Sequence, residues 1–216
     1  MKGKKGRIAD WSLENYYGRE TGAWVAGADE CGRGAWAGNM VGCAAVYHPQ
    51  ATVDIPLRDS KAYTLEEREE IVAKLTKDFI DKKLLFIAYA EVEPVIIESS
   101  NLNKLNAELF VTALRKLPKF DWVLLDGTIP ITEFPGACAP KADEVSITVA
   151  TASLFGKVYH DRAMKELHKQ YPNYGFNEHV GYGTKAHVAA LQKYGVIKGV
   201  HRNNFLQNLR NSGQIA

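Results

Sequence analysis

Two acidic residues, Asp29 and Glu30, stand side by side at the end of an apolar segment, and a glycine-rich turn follows them. The turn contains Gly32, Arg33 and Gly34. Neighbouring carboxylates are costly in a fold unless a cation neutralises them, glycines let another backbone come close, and arginine suits phosphate. Together, these residue types indicate a metal site that handles a phosphodiester.

Two further aspartates could complete such a site. Asp126 ends a short apolar segment before a glycine, and Asp143 precedes a long helical pattern. Taken alone, Asp-Gly is a common turn and an aspartate is a common helix cap. In an α/β fold, however, two strand ends and one helix start can converge, and carboxylates so placed would hold divalent cations such as Mg²⁺. Two such ions can activate water and stabilise the leaving oxygen in phosphodiester cleavage.

The alternation of side chains along a strand limits how the acidic pair can be arranged. Asp29 and Glu30 cannot both face one site if their strand stays regular. We therefore expect one of them to lie in the turn, which Gly32 and Gly34 make feasible.

Hydrophobic periodicity predicts alternating strands and helices, and therefore an α/β domain with a mixed β-sheet flanked by helices. A turn-rich stretch, residues 171–183, suggests a boundary between a catalytic body, residues 1–170, and a C-terminal helical substrate-binding extension, residues 171–216, within one compact unit. The predicted strands are 24–28, 40–47, 84–92 and 122–125, and the predicted helices are 64–80, about 102–113, about 145–167 and 184–194.

Composition is that of a globular protein, with 216 residues of which 46% are hydrophobic. No apolar run approaches the roughly 20 residues needed to span a bilayer, so we expect no membrane association. Three scattered cysteines, Cys31, Cys43 and Cys138, lack metal-ligand spacing. They are typical of free thiols in a reducing compartment, and we expect a cytoplasmic protein.

Charge is distributed unevenly along the chain. From Lys157 to the C-terminus there are nine Lys or Arg and three Asp or Glu, whereas residues 1–156 carry 18 and 22. A basic C-terminal third beside an acidic site is typical of nucleic-acid binding, and it is also what a solvated helical face would show. The charge pattern alone favours the solvated face.

The motifs resemble those of a known family, ribonuclease HII, in order along nearly the whole chain. The segment from Gly27 to Gly34 is similar to that family's G-x-D-E-A-G-R-G signature. The other matching segments are Asp59-Ser60-Lys61, Leu125-Asp126-Gly127, Lys141-Ala142-Asp143, Ala152 to Arg162, Tyr171 to Phe176, His179 to Thr184, and His201 to Phe205.

This resemblance implies a ribonuclease H-like fold and an endonuclease that uses Mg²⁺ or Mn²⁺. The implied substrates are RNA/DNA hybrids and single ribonucleotides embedded in duplex DNA, cut on the 5′ side to leave 3′-hydroxyl and 5′-phosphate ends. The resemblance assigns the metal-binding and catalytic tetrad to Asp29, Glu30, Asp126 and Asp143.

The resemblance also implies how the substrate is bound. Gly32, Arg33 and Gly34 would read the 2′-hydroxyl group, and Tyr182 would stack on the sugar of the following deoxynucleotide. The implied phosphate contacts are Ser60, Lys61 and Lys157. The sequence departs from the family pattern at Cys31, at Ala35-Trp36, at Gly156 and at His160.

Two other functions compete with this interpretation. Another two-metal nuclease of the same fold, such as an integrase or resolvase, would lack the Gly-Arg-Gly turn and the His-x-Gly-Tyr motif. A non-catalytic hybrid-binding module would not need an intact tetrad. The segment from Asn204 to Leu209 lacks the paired aromatic residues of a sliding-clamp peptide, so we expect a monomer without an obligatory subunit.

Overall fold

The computed structural model describes residues 6–215, and these residues form a five-stranded mixed sheet with helices on both faces. The sheet order is β3-β2-β1-β4-β5. β1, β2 and β3 pair antiparallel, whereas β1, β4 and β5 pair parallel. The strands are β1 (Val25–Cys31), β2 (Met40–Tyr47), β3 (Leu85–Val92), β4 (Trp122–Asp126) and β5 (Gly136–Ala139).

The helices follow the expected order, with additional short ones. They are α1 (Ser12–Tyr16), α2 (Leu65–Leu75), α3 (Pro94–Glu98), α4 (Leu102–Leu114), α5 (Ile147–Gln170), α6 (Phe176–His179), α7 (Lys185–Tyr194) and α8 (Gln207–Asn211). This arrangement confirms the predicted α/β class with a mixed sheet flanked by helices. Residues 1–5 and residue 216, the outer ends of the two predicted segments, lie outside the described residues.

Helix termini coincide with their capping residues. Thr64 caps α2 through a capping box with Glu67, and Thr184 caps α7 through the backbone N–H of His187. The predicted helix 64–80 ends differently from expectation, because its last turn, Thr76–Ile80, is a π-helix. β5 was not predicted from the sequence.

The long helix α5 covers one face of the sheet and α4 covers the other. A side chain at Gly27 would collide with the backbone of Thr148, at 2.4 Å from its carbonyl carbon, so only glycine lets the start of α5 lie directly against β1. This close approach brings the segment that precedes α5 next to the end of β1.

The C-terminal segment builds a separate apolar cluster. Phe176, Leu191 and Leu206 are buried there together with Ala37 from the β1–β2 connection and Met164 from α5. The predicted division at residue 170 stays a prediction. None of the helices between residues 6 and 215 combines the length and the hydropathy that a membrane span requires.

Candidate active site

One cleft of about 520 Å³ is lined by every residue that the sequence assigned to the site. It lies where β1 and β4 end, between the Gly-Arg-Gly turn and the segment that precedes α5. The predicted residues along its wall are Asp29, Glu30, Gly32, Arg33, Gly34, Ser60, Lys61, Asp126, Asp143, Lys157 and Tyr182.

The arrangement of the acidic pair differs from expectation. Asp29 and Glu30 both lie within β1, opposite Cys43 and Gly42 of β2, so the prediction that one of them lies in the turn was wrong. The parallel pairing with β4 ends at Ala28, and β1 therefore extends beyond its neighbour. Side chains from both faces of this extension can border the same cleft.

The partners of the two carboxyl groups show the alternation directly. Ser153 of α5 lies close enough to Asp29 to lower its pKa against the larger effect of burial, whereas the Asn106 amide of α4 lies 3.5 Å from Glu30 Oε2. α5 and α4 cover opposite faces of the sheet. Asp29 and Glu30 thus approach the cleft from the two sides of one strand.

Asp126 and Asp143 reach the cleft from the neighbouring elements. Asp126 is the last residue of β4, and its Oδ1 accepts a hydrogen bond of 2.7 Å from the backbone N–H of Ala142. Asp143 follows in a short 3₁₀ turn, Ala142–Glu144, directly before α5. A strand end and a helix start therefore converge as the sequence predicted.

Burial and shared negative charge raise the pKa values of three carboxyl groups in the cleft, those of Asp29, Glu30 and Asp143. The pKa of Asp29 lies well above its usual range because of burial and the charges of Glu30 and Asp126. Burial also raises the pKa of Glu30, against the opposing effect of Arg33. The pKa of Asp143 rises to about 6, through burial first and then the charges of Asp126 and Asp59.

The carboxylates fit a cation in their chemistry but do not form a closed coordination shell. Among residues 6–215, no three or more His, Cys, Asp or Glu side chains are already gathered into a complete metal-binding cluster. The donors are all carboxylate oxygens, which Mg²⁺ and Mn²⁺ accept, and a bound cation would relieve their repulsion. The donor set therefore fits a hard divalent cation that keeps much of its water.

The Gly-Arg-Gly turn closes one side of the cleft. Gly32 has φ +78°, and a side chain there would also meet the buried His160 ring at 2.5 Å, so glycine is required on both counts. Arg33 Nη2 donates to Asn103 Oδ1 of α4 at 2.6 Å. The turn is thus held at its base by α5 and at its tip by α4.

Tyr182 stands opposite this turn, with its side chain 37% exposed. Burial of the remainder raises the pKa of its phenol group to about 12. Val180, two residues earlier, has φ +42°, a left-handed conformation that is rare for a β-branched residue. Trp36 packs on His187 and Gly183 beneath this loop, with ring centroids of Trp36 and His187 5.7 Å apart.

The three candidate phosphate-binding residues differ in their surroundings. Lys61 is exposed, whereas Ser60 is buried with its Oγ 3.2 Å from Ser153 Oγ. Lys157 Nζ donates to Asp161 Oδ1 at 2.6 Å, and Arg68 pairs with the same carboxylate at 3.1 Å. Burial alone would raise the pKa of Asp161, but the nearby His160 ring at 3.6 Å, the hydrogen bond from Lys157 and the charges of Lys157 and Arg68 hold it below its usual range.

Sequence reasoning missed several residues that line the cleft. Asp59 and Glu144 add carboxylates, and Asp59 Oδ1 accepts from the Lys61 N–H at 2.9 Å. The signal was present for Asp59, since it begins the Asp-Ser-Lys segment whose other two residues were selected. Cys31 also lines the cleft, and burial raises the pKa of its thiol to about 12, so it stays protonated and unreactive.

Comparisons with known proteins agree with these features. The family model described as Ribonuclease HII matches residues 26–208. A curated Ribonuclease HII from Thermus thermophilus is 40% identical over 201 residues, which cover 92% of this chain and 93% of that protein.

Solved structures share the fold. The ribonuclease H2 of Pyrococcus horikoshii superposes with a TM-score of 0.72 at 26% identity, covering 88% of this chain and 98% of that one. The RNase HII of Archaeoglobus fulgidus, solved in a complex with PCNA, has a TM-score of 0.71 at 23% identity and covers 86% and 96%. The ribonuclease H-like fold and the family match agree, and the chain belongs to the ribonuclease HII family, whose members are endonucleases that hydrolyse phosphodiester bonds of RNA/DNA hybrids.

Proposed function

We propose that this cleft cleaves the RNA strand of RNA/DNA hybrids and also cuts on the 5′ side of a single ribonucleotide embedded in duplex DNA. The products would carry 3′-hydroxyl and 5′-phosphate ends. The observation that carries the proposal is the meeting, in one cleft, of carboxylates, a Gly-Arg-Gly turn and a partly exposed tyrosine. A nuclease that read only duplex shape would have no use for the last two.

Asp29, Glu30, Asp126 and Asp143 are proposed to hold two divalent ions, Mg²⁺ or Mn²⁺. When bound, such ions supply an activated water and a positive charge beside the leaving oxygen. Mg²⁺ keeps several waters, so it needs few protein oxygens, in keeping with carboxylates that surround a cleft without enclosing a cage. The shared repulsion that raises the pKa values of Asp29 and Asp143 would be relieved by a bound divalent cation.

The remaining residues are proposed to bind and orient the substrate. The turn from Gly32 to Gly34 would receive the 2′-hydroxyl group, which distinguishes RNA from DNA. Tyr182 would offer its exposed ring to the next sugar. Lys61 would meet a phosphate directly, whereas Lys157, already paired with Asp161, would add positive charge at the cleft wall.

The proposed assembly is a monomer in the cytoplasm. Every proposed site residue comes from one chain, so no residue of a second subunit is needed. Cys31, Cys43 and Cys138 are free thiols, which suits a reducing compartment. Sedimentation equilibrium of the active enzyme tests the monomer, and a twofold mass would contradict it.

Cleavage of matched duplexes tests the function. Three duplexes of one sequence would contain zero, one or several ribonucleotides, and the ends of the products would be mapped. We expect metal-dependent cutting of the second and third duplexes and none of the first. Equal cutting of the all-DNA duplex would instead indicate the general two-metal nuclease, and binding of the hybrid without turnover would indicate a non-catalytic module.

A further inference from the structure

Two neighbouring residues near the C-terminus, His201 and Arg202, reach both elements that would face the substrate. We infer that this pair positions the Gly32–Gly34 turn and Tyr182 for reading a ribonucleotide, with His187 as the link to Tyr182. The inference rests on the proposed function and adds three positioning residues to it.

The guanidinium group of Arg202 binds the turn through its carbonyl oxygens. Arg202 is fully buried, and its Nη1 donates to the carbonyls of Gly32 at 2.7 Å and Arg33 at 3.0 Å. Its Nε and Nη2 both donate to the carbonyl of Gly38, at 3.0 and 2.7 Å. The planar guanidinium group thus binds carbonyl groups at both ends of the segment 32–38.

Burying the charged guanidinium group costs desolvation free energy, which its hydrogen bonds to the turn must offset. No carboxylate between residues 6 and 215 is paired with Arg202, and burial lowers its pKa to about 10, which leaves it charged at neutral pH. An apolar side chain of similar volume would leave the carbonyl groups of Gly32, Arg33 and Gly38 without this donor. All the acceptors of its side chain belong to residues 32–38, so its effect is concentrated on the turn.

Peptide geometry shows what this contact does. A trans peptide directs its C=O and N–H groups to opposite sides, and there is no cis peptide among the described residues. Because the carbonyls of Gly32 and Arg33 point at the buried guanidinium, the N–H groups of Arg33 and Gly34 point away from the core. Within residues 6–215, neither N–H group donates to a protein acceptor. They are therefore available to a hydroxyl oxygen in the cleft.

His201 reaches Tyr182 through a chain of hydrogen bonds. The Ile197 N–H donates to His201 Nδ1 at 2.9 Å, which places the proton of that neutral ring on Nε2. His201 Nε2 lies 3.2 Å from His187 Nε2 and donates to it, and His187 Nδ1 donates to the Tyr182 carbonyl at 3.0 Å. The hydrogen bonds at the ring nitrogens have mutually consistent donor and acceptor roles, so the chain fixes both tautomers.

The two contacts belong to one short segment. The Arg202 N–H donates to the Trp36 carbonyl at 2.7 Å, and His201 pairs with Ala37 as an isolated β-bridge. The segment therefore runs along the connection that follows the turn. A shift of this segment would move the turn and the tyrosine together.

The first experiment separates the inference from the proposed function. In an Asp126→Asn background, in which cleavage is strongly slowed, we would measure Kd by fluorescence anisotropy for duplexes with zero or one ribonucleotide. The parent should prefer the duplex with one ribonucleotide. Arg202→Lys keeps the positive charge but loses the forked guanidinium group. It should reduce this preference by about tenfold, because the N–H groups of Arg33 and Gly34 are no longer held in line. The Kd for the all-DNA duplex should stay unchanged. Arg115→Lys, at an exposed position directly after α4, is the matched control and should keep the preference.

The outcomes are distinct. A parent without preference contradicts the reading of the 2′-hydroxyl group in the proposed function. A parent preference that survives unchanged in a folded Arg202→Lys variant overturns the inference alone.

A second pair of variants tests the histidine chain and decides the question if Arg202→Lys does not fold. His187→Asn places an amide N–H near the position of Nδ1 and can still donate to Tyr182, whereas the amide of His187→Gln lies near the position of Nε2. The readout is kcat/KM for a single embedded ribonucleotide relative to a uniform hybrid. We expect His187→Gln to lower this ratio several-fold and His187→Asn to preserve it. Equal ratios in the two variants overturn the inference.

Discussion

Asp126 Oδ1 accepts the backbone N–H of Ala142 at 2.7 Å, and this hydrogen bond joins the end of β4 to the residue directly before Asp143. The same side chain thus contributes charge to the cleft and fixes the segment that carries the next carboxylate. These two roles can be separated by substitution, because an asparagine retains the oxygen acceptor and loses only the charge.

We predict that Asp126→Asn keeps the fold and loses activity by about 10²-fold or more, since several kcal/mol of charge stabilisation in the transition state depend on bound cations. Metal-free stability should be unchanged or higher, because one charge leaves a repelling cluster. Asp126→Ala should lose activity and also melt at a lower temperature, since the Ala142 N–H loses its acceptor. Cleavage rates with Mg²⁺ and melting temperatures check both variants, and wild-type rates in Asp126→Asn would contradict the assignment.

The pKa of Asp143, about 6 in the metal-free protein, predicts that this residue's contribution to stability decreases as pH rises. The folded pKa lies above the unfolded value of about 3.9, so the group favours folding below pH 4 and this contribution is lost as pH rises through about 6. Asp143→Asn should therefore raise the metal-free melting temperature at pH 7 and not at pH 4. Thermal melts of the two proteins with EDTA, at both pH values, measure the difference; a constant difference would contradict the shift.

The contribution of the buried histidines to stability should depend on pH in the opposite direction. Burial lowers the pKa values of His187 and His201 to about 4. Their folded pKa values lie below the unfolded value of about 6.5, so their contribution to stability is complete above pH 6.5 and is lost as pH falls toward 4. NMR titration of the imidazole signals should show both rings neutral at pH 6. A midpoint near 6.5 for either ring would contradict the hydrogen-bonded chain described above.

Tyr182 is expected to act through its ring. Tyr182→Ala should weaken cleavage at a single embedded ribonucleotide, with the roughly 1–3 kcal/mol of base–aromatic stacking as a loose upper scale. Tyr182→Phe keeps the ring and should retain most of the activity. Steady-state kinetics on single-ribonucleotide and uniform hybrids check the pair. A similar loss on both substrates, together with a lower melting temperature, would mean that the tyrosine is purely structural.

The basic C-terminal third is expected to hold the duplex. Lys185, Lys193 and Lys198 are exposed, so replacing all three with glutamine should leave the fold intact. Each lost phosphate contact should reduce the slope of log affinity against log salt by about 0.9. Binding measured between about 50 and 200 mM salt gives the slope.

A control for that experiment changes the same amount of charge elsewhere. Lys77, Lys82 and Lys83 are exposed near the start of β3, and none of them lines the cleft. Their glutamine variant should keep the wild-type slope. If the two triple variants share one unchanged slope, the C-terminal lysines form a solvated face and the duplex binds elsewhere.

The sequence predicted the elements whose patterns are long and periodic. α5 was predicted within a few residues because small packing residues mark it, and β2 because its eight residues form an almost continuous apolar run. β5 was not predicted, since it is a four-residue edge strand of mostly exposed residues without alternation. Short edge strands depend on a neighbour for their conformation rather than on their own side chains.

The site was predictable in its members and not in its geometry. The order of the motifs named the residues that now line one cleft, but the extension of β1 beyond β4 depends on where pairing with β4 stops. Arg202 illustrates the same limit, because the sequence places it in a matching motif, His201 to Phe205, but no local pattern predicts that it is buried and binds only carbonyl groups. Its acceptors lie more than 160 residues away along the chain.

Val180 shows that this region is not optimised for heat resistance. Its left-handed conformation costs of order 1–3 kcal/mol for a residue with a branched Cβ, and glycine or asparagine would reduce that cost. A search for thermostable variants would therefore select such replacements at position 180. The same replacements would also give the backbone that precedes Tyr182 more conformational freedom. Relieving the strain at Val180 would therefore exchange a constrained approach to Tyr182 for a higher melting temperature.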